Sequence, residues 1–143
     1  GAPMAYELLR AYGVAEASAQ AVVRCVARHR FRGGEAPETL EERIVYDADK
    51  LDSLGAVGIG RAFLFAGRCH AKVHNRMREA LTGAPYGEED TAYREYLVKL
   101  RLLPDRLLTE AGRALARERA DFMRIFFEEL HREVYRIPLE FPE

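Results

Sequence analysis

Three carboxylates, Asp47, Asp49 and Asp52, are set into the otherwise apolar run Ile44-Val-Tyr-Asp-Ala-Asp-Lys-Leu-Asp-Ser-Leu54. A carboxylate taken out of water while charged and unpaired costs several kcal/mol, so a buried one needs a cation, a set of donors or a proton. Cation binding is the chemistry such a cluster can do, and ion pairing with arginines is the plain structural alternative. A second pattern is His70 and His74, four apart, the spacing at which two imidazoles on one helix face can share a metal. The glutamate that follows the first histidine in zinc peptidases is missing, so a solvated helix or lid carrying incidental histidines is the simpler expectation there.

The element that positions the aspartates is a helix opening at Thr39. Thr39 is suited to accept from the amide of Glu42, and Glu42 to reach back to the amide of Thr39. Leu40, Ile44, Ala48, Leu51 and Leu54 then recur at spacings of three and four, which predicts one buried face. At about 100° per residue Asp47 falls inside that stripe, whereas Asp49 and Asp52 lie beside Val45. Gly55, Gly58 and Gly60 follow no strand and fit no lysine-containing phosphate loop, so close packing of a helix is expected from them.

The remaining elements are also helical in pattern. Residues 4–12 read as a helix with Leu8 and Leu9 inward, ended by a left-handed cap at Gly13. Residues 16–29 read as a second, with Val22, Val23 and Val26 on its apolar side and Phe31 seating its end. Residues 32–38 form a loop rich in breakers. Residues 68–81 are polar and basic with helical spacing, and residues 83–87 are a loop. Thr91 is placed to cap a helix with Tyr93, Tyr96, Leu97 and Leu100, with Pro104 ending it or starting the next turn. Thr109 is placed to cap the longest helix, from Glu110 to about Tyr135. Its predicted buried stripe is Ala111, Leu115, Phe122, Phe126, Leu130 and Val134, flanked by Met123 and Phe127. Its Arg113, Arg117, Arg119 and Arg124, interleaved with Glu118, Glu128 and Glu129, read as a solvated, ion-paired face. Pro138 and Pro142 keep residues 138–143 as an extended tail. Tyr86, Tyr93 and Tyr96 are open between lid, dimer surface and core. The expectation is an all-α single domain over residues 1–143, with about six helices and no strand.

Length and composition agree with one soluble globular domain: 143 residues, 48% hydrophobic and 31% charged. The formal net charge of −1 gives no general attraction for a phosphate backbone, which disfavours nucleic acid as a partner. Cys25 and Cys69 lack paired spacing and read as free thiols in a reducing compartment, so a cytoplasmic location is expected. No apolar run reaches the roughly 20 residues of a membrane span. Gly1-Ala2-Pro3 ahead of Met4 fits a tag remnant, a proteolytic start or part of a longer product; the last is preferred, so an N-terminally incomplete domain is expected.

The stretch Ile44-Val-Tyr-Asp-Ala-Asp-Lys-Leu-Asp-Ser-Leu-Gly-Ala-Val-Gly-Ile-Gly-Arg-Ala-Phe63 resembles the last metal-binding segment of the HD-domain superfamily of metal-dependent phosphohydrolases. More narrowly, it resembles a bacterial and archaeal branch predicted to hydrolyse nucleotides. The resemblance continues through His29-Arg-Phe-Arg and Pro37-Glu-Thr-Leu-Glu41. It extends to Leu97-Val-Lys-Leu and Thr109-Glu-Ala-Gly-Arg-Ala-Leu-Ala-Arg-Glu-Arg-Ala-Asp-Phe-Met123, covering roughly Met4 to Tyr135.

The resemblance implies a hydrolase, and a monomer or homodimer is expected. A divalent ion, with Mn, Mg, Fe, Co, Ni and Zn not distinguished, would activate water against a phosphorus centre in a nucleotide or related small phosphate ester. It assigns Asp49 as the final metal-ligand aspartate, where the helix wheel singles out Asp47 as the more buried acid. Asp47 and Asp52 are then supporting or alternative ligands. His29 matches a histidine expected to contact phosphate or a second ion, with a helix C-terminal cap as the structural alternative. Lys50 is a candidate for substrate phosphate, or for an ion pair with Glu42 or Asp47. Arg61 and Arg119 are expected to be structural. In the family a His and then a His-Asp pair precede this region. The chain has four histidines and no His-Asp dipeptide. The expectation is that these 143 residues by themselves bind no metal tightly and hydrolyse nothing unless upstream residues or another chain supply those ligands. The competing expectation is a catalytically silent helical interaction module derived from such a hydrolase.

Overall fold

The computed structural model describes residues 1–30 and 35–137. The expectations for Phe31, for 32–34 within the breaker loop and for the tail with Pro138 and Pro142 lie outside these residues. Among the described residues there are seven α-helices and no strand: α1 (Ala2–Ala11), α2 (Glu16–Arg28), α3 (Leu40–Leu51), α4 (Gly55–Arg68), α5 (Met77–Thr82), α6 (Ala92–Val98) and α7 (Glu110–Tyr135). Two 3-10 turns, Leu100–Leu102 and Pro104–Arg106, join α6 to α7.

Helix starts and stops follow local chemistry. Thr39, Thr91 and Thr109 each accept a hydrogen bond from the amide three residues on, at 3.3, 3.0 and 3.0 Å. Gly13, at φ +74°, closes α1. The reach-back of Glu42 goes to the amide of Glu38, at 2.8 Å. Pro104 opens the second 3-10 turn, where a missing N–H costs nothing.

The core lies where α4, α6 and the 3-10 turns pack against α7. It is built from Leu54, Ile59 and Ala62, from Tyr93, Tyr96, Leu97 and Leu100, and from Ala116, Met123 and Phe127. Tyr96 stacks on Phe127 with ring centroids 4.6 Å apart, so Tyr93 and Tyr96 are core, whereas Tyr86 is exposed. Gly58 lies against the Ser53 carbonyl so closely that a Cβ would collide with it, and Gly55, at φ +71°, packs on the Arg119 side chain. Close packing thus accounts for these two glycines, while Gly60 has open space around it.

Helix rotation departs from the sequence stripes. On α3 the buried residues are Glu42, Tyr46, Asp47 and Lys50, while Leu40 and Ile44 are 63% and 52% exposed and Ala48 faces solvent. On α7 the buried set is Gly112, Ala116, Met123, Phe127 and His131, one residue out of phase with the expected stripe, and Leu115, Phe122 and Val134 are exposed. Leu8 on α1 and Val22 on α2 likewise face outward. The cause on α3 is energetic. Leaving Leu40 and Ile44 half exposed forfeits about 1 kcal/mol each, whereas a charged carboxylate buried without partners costs several. The rotation that gives Glu42 and Asp47 their partners wins. On α7 two polar anchors set the phase. A Cβ at Gly112 would collide with Asp47 Oδ2, and His131 meets a partner histidine.

The 68–81 region also differs from its expected helix. Residues 71–76 are irregular, and only Met77–Thr82 is helical. His70 is exposed at φ +54°, just past the end of α4, so it shares no helix with His74. His74 is buried and its Nε2 lies 3.0 Å from Nδ1 of His131, with the Tyr93 and Tyr135 rings alongside. This buried contact displaces the solvated-helix reading. Its pKa is pushed down to about 4, first by burial and then by His131.

Candidate functional site

Asp47 and Asp49, two residues apart on α3, have opposite environments. Asp47 is 2% exposed, and its carboxylate accepts from the amides of Leu108 and Thr109 at 2.8 Å each and from the Thr109 hydroxyl at 2.6 Å. The same hydroxyl accepts from Gly112 to cap α7. Asp47 therefore pins α3 to the start of α7 through three donors. The Asp49 side chain is 54% exposed. Asp52 is also exposed and pairs with Arg61, which donates to the Asp52 carbonyl as well, at 3.2 Å. Arg61 thus holds the α3–α4 corner, and Arg119 holds it from α7 by donating to the Leu51 carbonyl at 2.5 Å.

Lys50 is buried and makes neither expected ion pair. Its ammonium donates to Asp49 Oδ2 at 3.0 Å and to the His29 carbonyl at 2.5 Å, and it lies 3.9 Å from the centroid of the Tyr46 ring. Glu42 takes Arg28 at 2.9 Å and Arg24 at 3.4 Å instead, and Asp47 is already satisfied by α7. The Glu38 amide, followed by Arg28, holds the Glu42 carboxyl down at about 2. His29 caps the end of α2, with its Nδ1 2.6 Å from the Val26 carbonyl. Its link to Asp49 runs through its own carbonyl and Lys50.

Asp49 and Lys50 open onto a cavity of about 680 Å³, lined also by Arg30, Ser53, Glu95, Lys99 and Arg106, with Val98, Leu102 and Leu103 as its apolar wall. Four cations face two carboxylates there, in a chain whose net charge is −1. Such a concave basic site with an apolar wall suits a ligand with anionic and apolar ends. Lys99 holds Glu95 at 2.6 Å across one helical turn. Arg30, Glu95, Lys99 and Arg106 were not singled out from sequence. The i,i+4 pairing of Glu95 with Lys99 was visible there, but its facing Asp49 was not.

Among the described residues the donor set does not amount to a metal centre. Among the described residues no three of His, Cys, Asp and Glu converge on a point that could hold an ion. Asp49 is a chemically suitable hard ligand, and alone it is too few. Cys25 and Cys69 are free thiols. Among the described residues no helix is long and apolar enough to cross a membrane.

No family model matches the chain. The uncharacterized protein YpgQ of Bacillus subtilis (strain 168) is 37% identical over 139 residues, which are 94% of this chain and 62% of that protein. The crystal structure of YpgQ superposes with a TM-score of 0.77 at 30% identity, covering 94% of this chain and 64% of that one. YpgQ in complex with ADP gives 0.73 at 29%, over 93% and 61%. A solved HD-superfamily hydrolase from Bacillus thuringiensis gives 0.71 at 27%, over 93% and 62%. The chain spans a little over three fifths of the length of these relatives. Its fold is the all-helical, HD-superfamily-like fold of these structures.

Proposed function

We propose that this chain forms the nucleotide-receiving part of an HD-type phosphohydrolase site, with the α3/α6 cavity taking the phosphates of a nucleotide or related small phosphate ester. The observation that carries this reading is the cluster of Arg30, Lys50, Lys99 and Arg106 around Asp49. Arginines offer paired donors to phosphate oxygens, and lysines a compact charge. The solved complex of YpgQ with ADP supports a nucleotide as the ligand class. In this reading Asp49 gives one carboxylate to a divalent ion, with Asp47 holding α3 in place behind it and Lys50 keeping the carboxylate aimed. His29 acts as a structural cap.

The described residues supply too few ligands for that ion, so no hydrolytic step is derived through it. The test is calorimetric titration of the 143-residue chain with ADP, with and without a divalent ion, alongside an assay for released phosphate. Saturable ADP binding that weakens with salt and in Lys99→Ala, without turnover, is the expected result. Absence of ADP binding would refute the reading. Turnover at stoichiometric metal would refute the claim that the chain lacks a complete site. The silent-module alternative is favoured only if a longer polypeptide carrying this chain also binds ADP without turnover.

A further inference from the structure

A second cavity of about 320 Å³ adjoins the first and shares Ser53, Glu95 and Lys99 with it. One wall is a single face of α4, because Gly58, Arg61, Ala62 and Phe65 follow one another at three, one and three residues. The opposite wall is Glu95, Lys99 and Leu100. The small Gly58 and Ala62 leave the Phe65 ring as the largest apolar surface of the cavity. Phe65 is 43% exposed and lies outside the hydrophobic core cluster. Its ring is steadied by Tyr86, edge to face with centroids 6.0 Å apart. Tyr86 is itself held in a left-handed conformation, φ +62°, with its amide donating to Asp90 at 2.7 Å. Neither aromatic belongs to the core cluster.

We propose that this second cavity is the nucleobase subsite. The base lies on the Phe65 ring, and the phosphates pass Lys99 into the cavity of Asp49. The inference rests on the nucleotide reading above and adds where the aromatic end goes. The charged side chains lining it are already engaged, Glu95 with Lys99 and Arg61 with Asp52. Recognition of the base is therefore by stacking, which tolerates any base because every base has a π face.

The chain contains no tryptophan, so Phe65→Trp introduces a single fluorescent reporter in the subsite. ADP should quench it, and inorganic pyrophosphate, which has phosphates and no base, should not. In parallel, Phe65→Ala should weaken ADP at least about fivefold and leave pyrophosphate within twofold, the range expected from removing one aromatic–base stack. Because Phe65 is nearly half exposed, both variants are expected to keep the wild-type melting transition. If wild-type protein binds ADP while Phe65→Ala binds it equally well and Phe65→Trp is unquenched, the base subsite is refuted and the phosphate site stands. If wild-type protein binds no ADP, both fall together.

Discussion

Asp47→Asn isolates the anchor on which the site's geometry depends. The substitution keeps volume and shape but replaces one oxygen by an NH2 group. In the native protein Oδ2 accepts from both the amide and the hydroxyl of Thr109, and Oδ1 accepts from the Leu108 amide. An asparagine has only one acceptor, so its NH2 must face at least one of these donors. The Thr109 hydroxyl is then drawn in two directions, because it also accepts from Gly112 at the helix start. Hydrogen bonds to a charged acceptor contribute about 1.5–3 kcal/mol each, and relief of the buried charge returns part of what is lost. The expected net destabilisation is about 2–3 kcal/mol. In urea, at a slope near 2 kcal/mol/M, the midpoint should fall by about 1–1.5 M with the slope unchanged. Thr109→Ala should cost less, about 1–2 kcal/mol, as the loss of one cap and one bond. The double mutant should cost less than the sum, since the two residues share a bond. ADP affinity measured well below the transition should stay within twofold, because both Asp47 oxygens are turned to α7. A midpoint within about 0.3 M of wild type, or loss of ADP or metal binding with stability intact, would refute the anchor and make Asp47 a ligand.

Other outcomes follow from the same geometry. Asp49→Ala should change stability by less than about 0.5 kcal/mol, since the side chain is exposed, and should weaken any divalent-ion binding followed by calorimetry. Lys50→Met should destabilise by about 2 kcal/mol, because the ammonium satisfies both Asp49 and the His29 carbonyl from a buried position; an unchanged urea midpoint would contradict this. For pH, His74 has a folded pKa of about 4, below its ordinary value, so the unfolded chain binds the proton more readily. Stability present above about pH 6.5 should be lost as pH falls toward 4, by up to about 3 kcal/mol. Glu42, held down at about 2, adds a further loss between about pH 4.5 and 2, again with the unfolded chain taking up the proton first. Urea midpoints measured from pH 7.5 to 3 check both, and a flat profile between pH 6.5 and 4.5 would exclude the His74 contribution.

What the sequence disclosed was local. The three threonine caps, the left-handed glycine at position 13 and the span of α7 depend on residues within one turn of each other. The same short-range chemistry operates in the folded chain. Helix rotation was hidden because distant polar partners set it. Nothing near Leu40 or Ile44 announces that Glu42 will find Arg28 and that Asp47 will find the Thr109 amide. His74 was misplaced for the same reason, as its partner lies fifty-seven positions away on α7. At the proposed site, the resemblance pointed to Asp49. Apart from Lys50 beside it on α3, the cations around it lie just past the ends of α2 and α6 and on a 3-10 turn, and they share no spacing that would group them.

The buried polar residues of α3 are better understood as a coordinate frame than as a set of isolated bonds. Glu42 ties the first turn to α2 through Arg28, Asp47 ties the middle to α7, and Lys50 ties the last turn back to the His29 carbonyl at the end of α2. Three attachments to two helices leave α3 no freedom to rotate or slide, so the direction of Asp49 into the cavity is fixed without any contact that belongs to Asp49 alone except Lys50. A ligand that binds Asp49 therefore meets a carboxylate already oriented, and the entropy of fixing it has been met on folding. The exposed Leu40 and Ile44 are the compensating cost, about 1 kcal/mol each. That is small beside the several kcal/mol that even one misdirected buried charge would add, so the polar frame prevails over the apolar pattern on this helix.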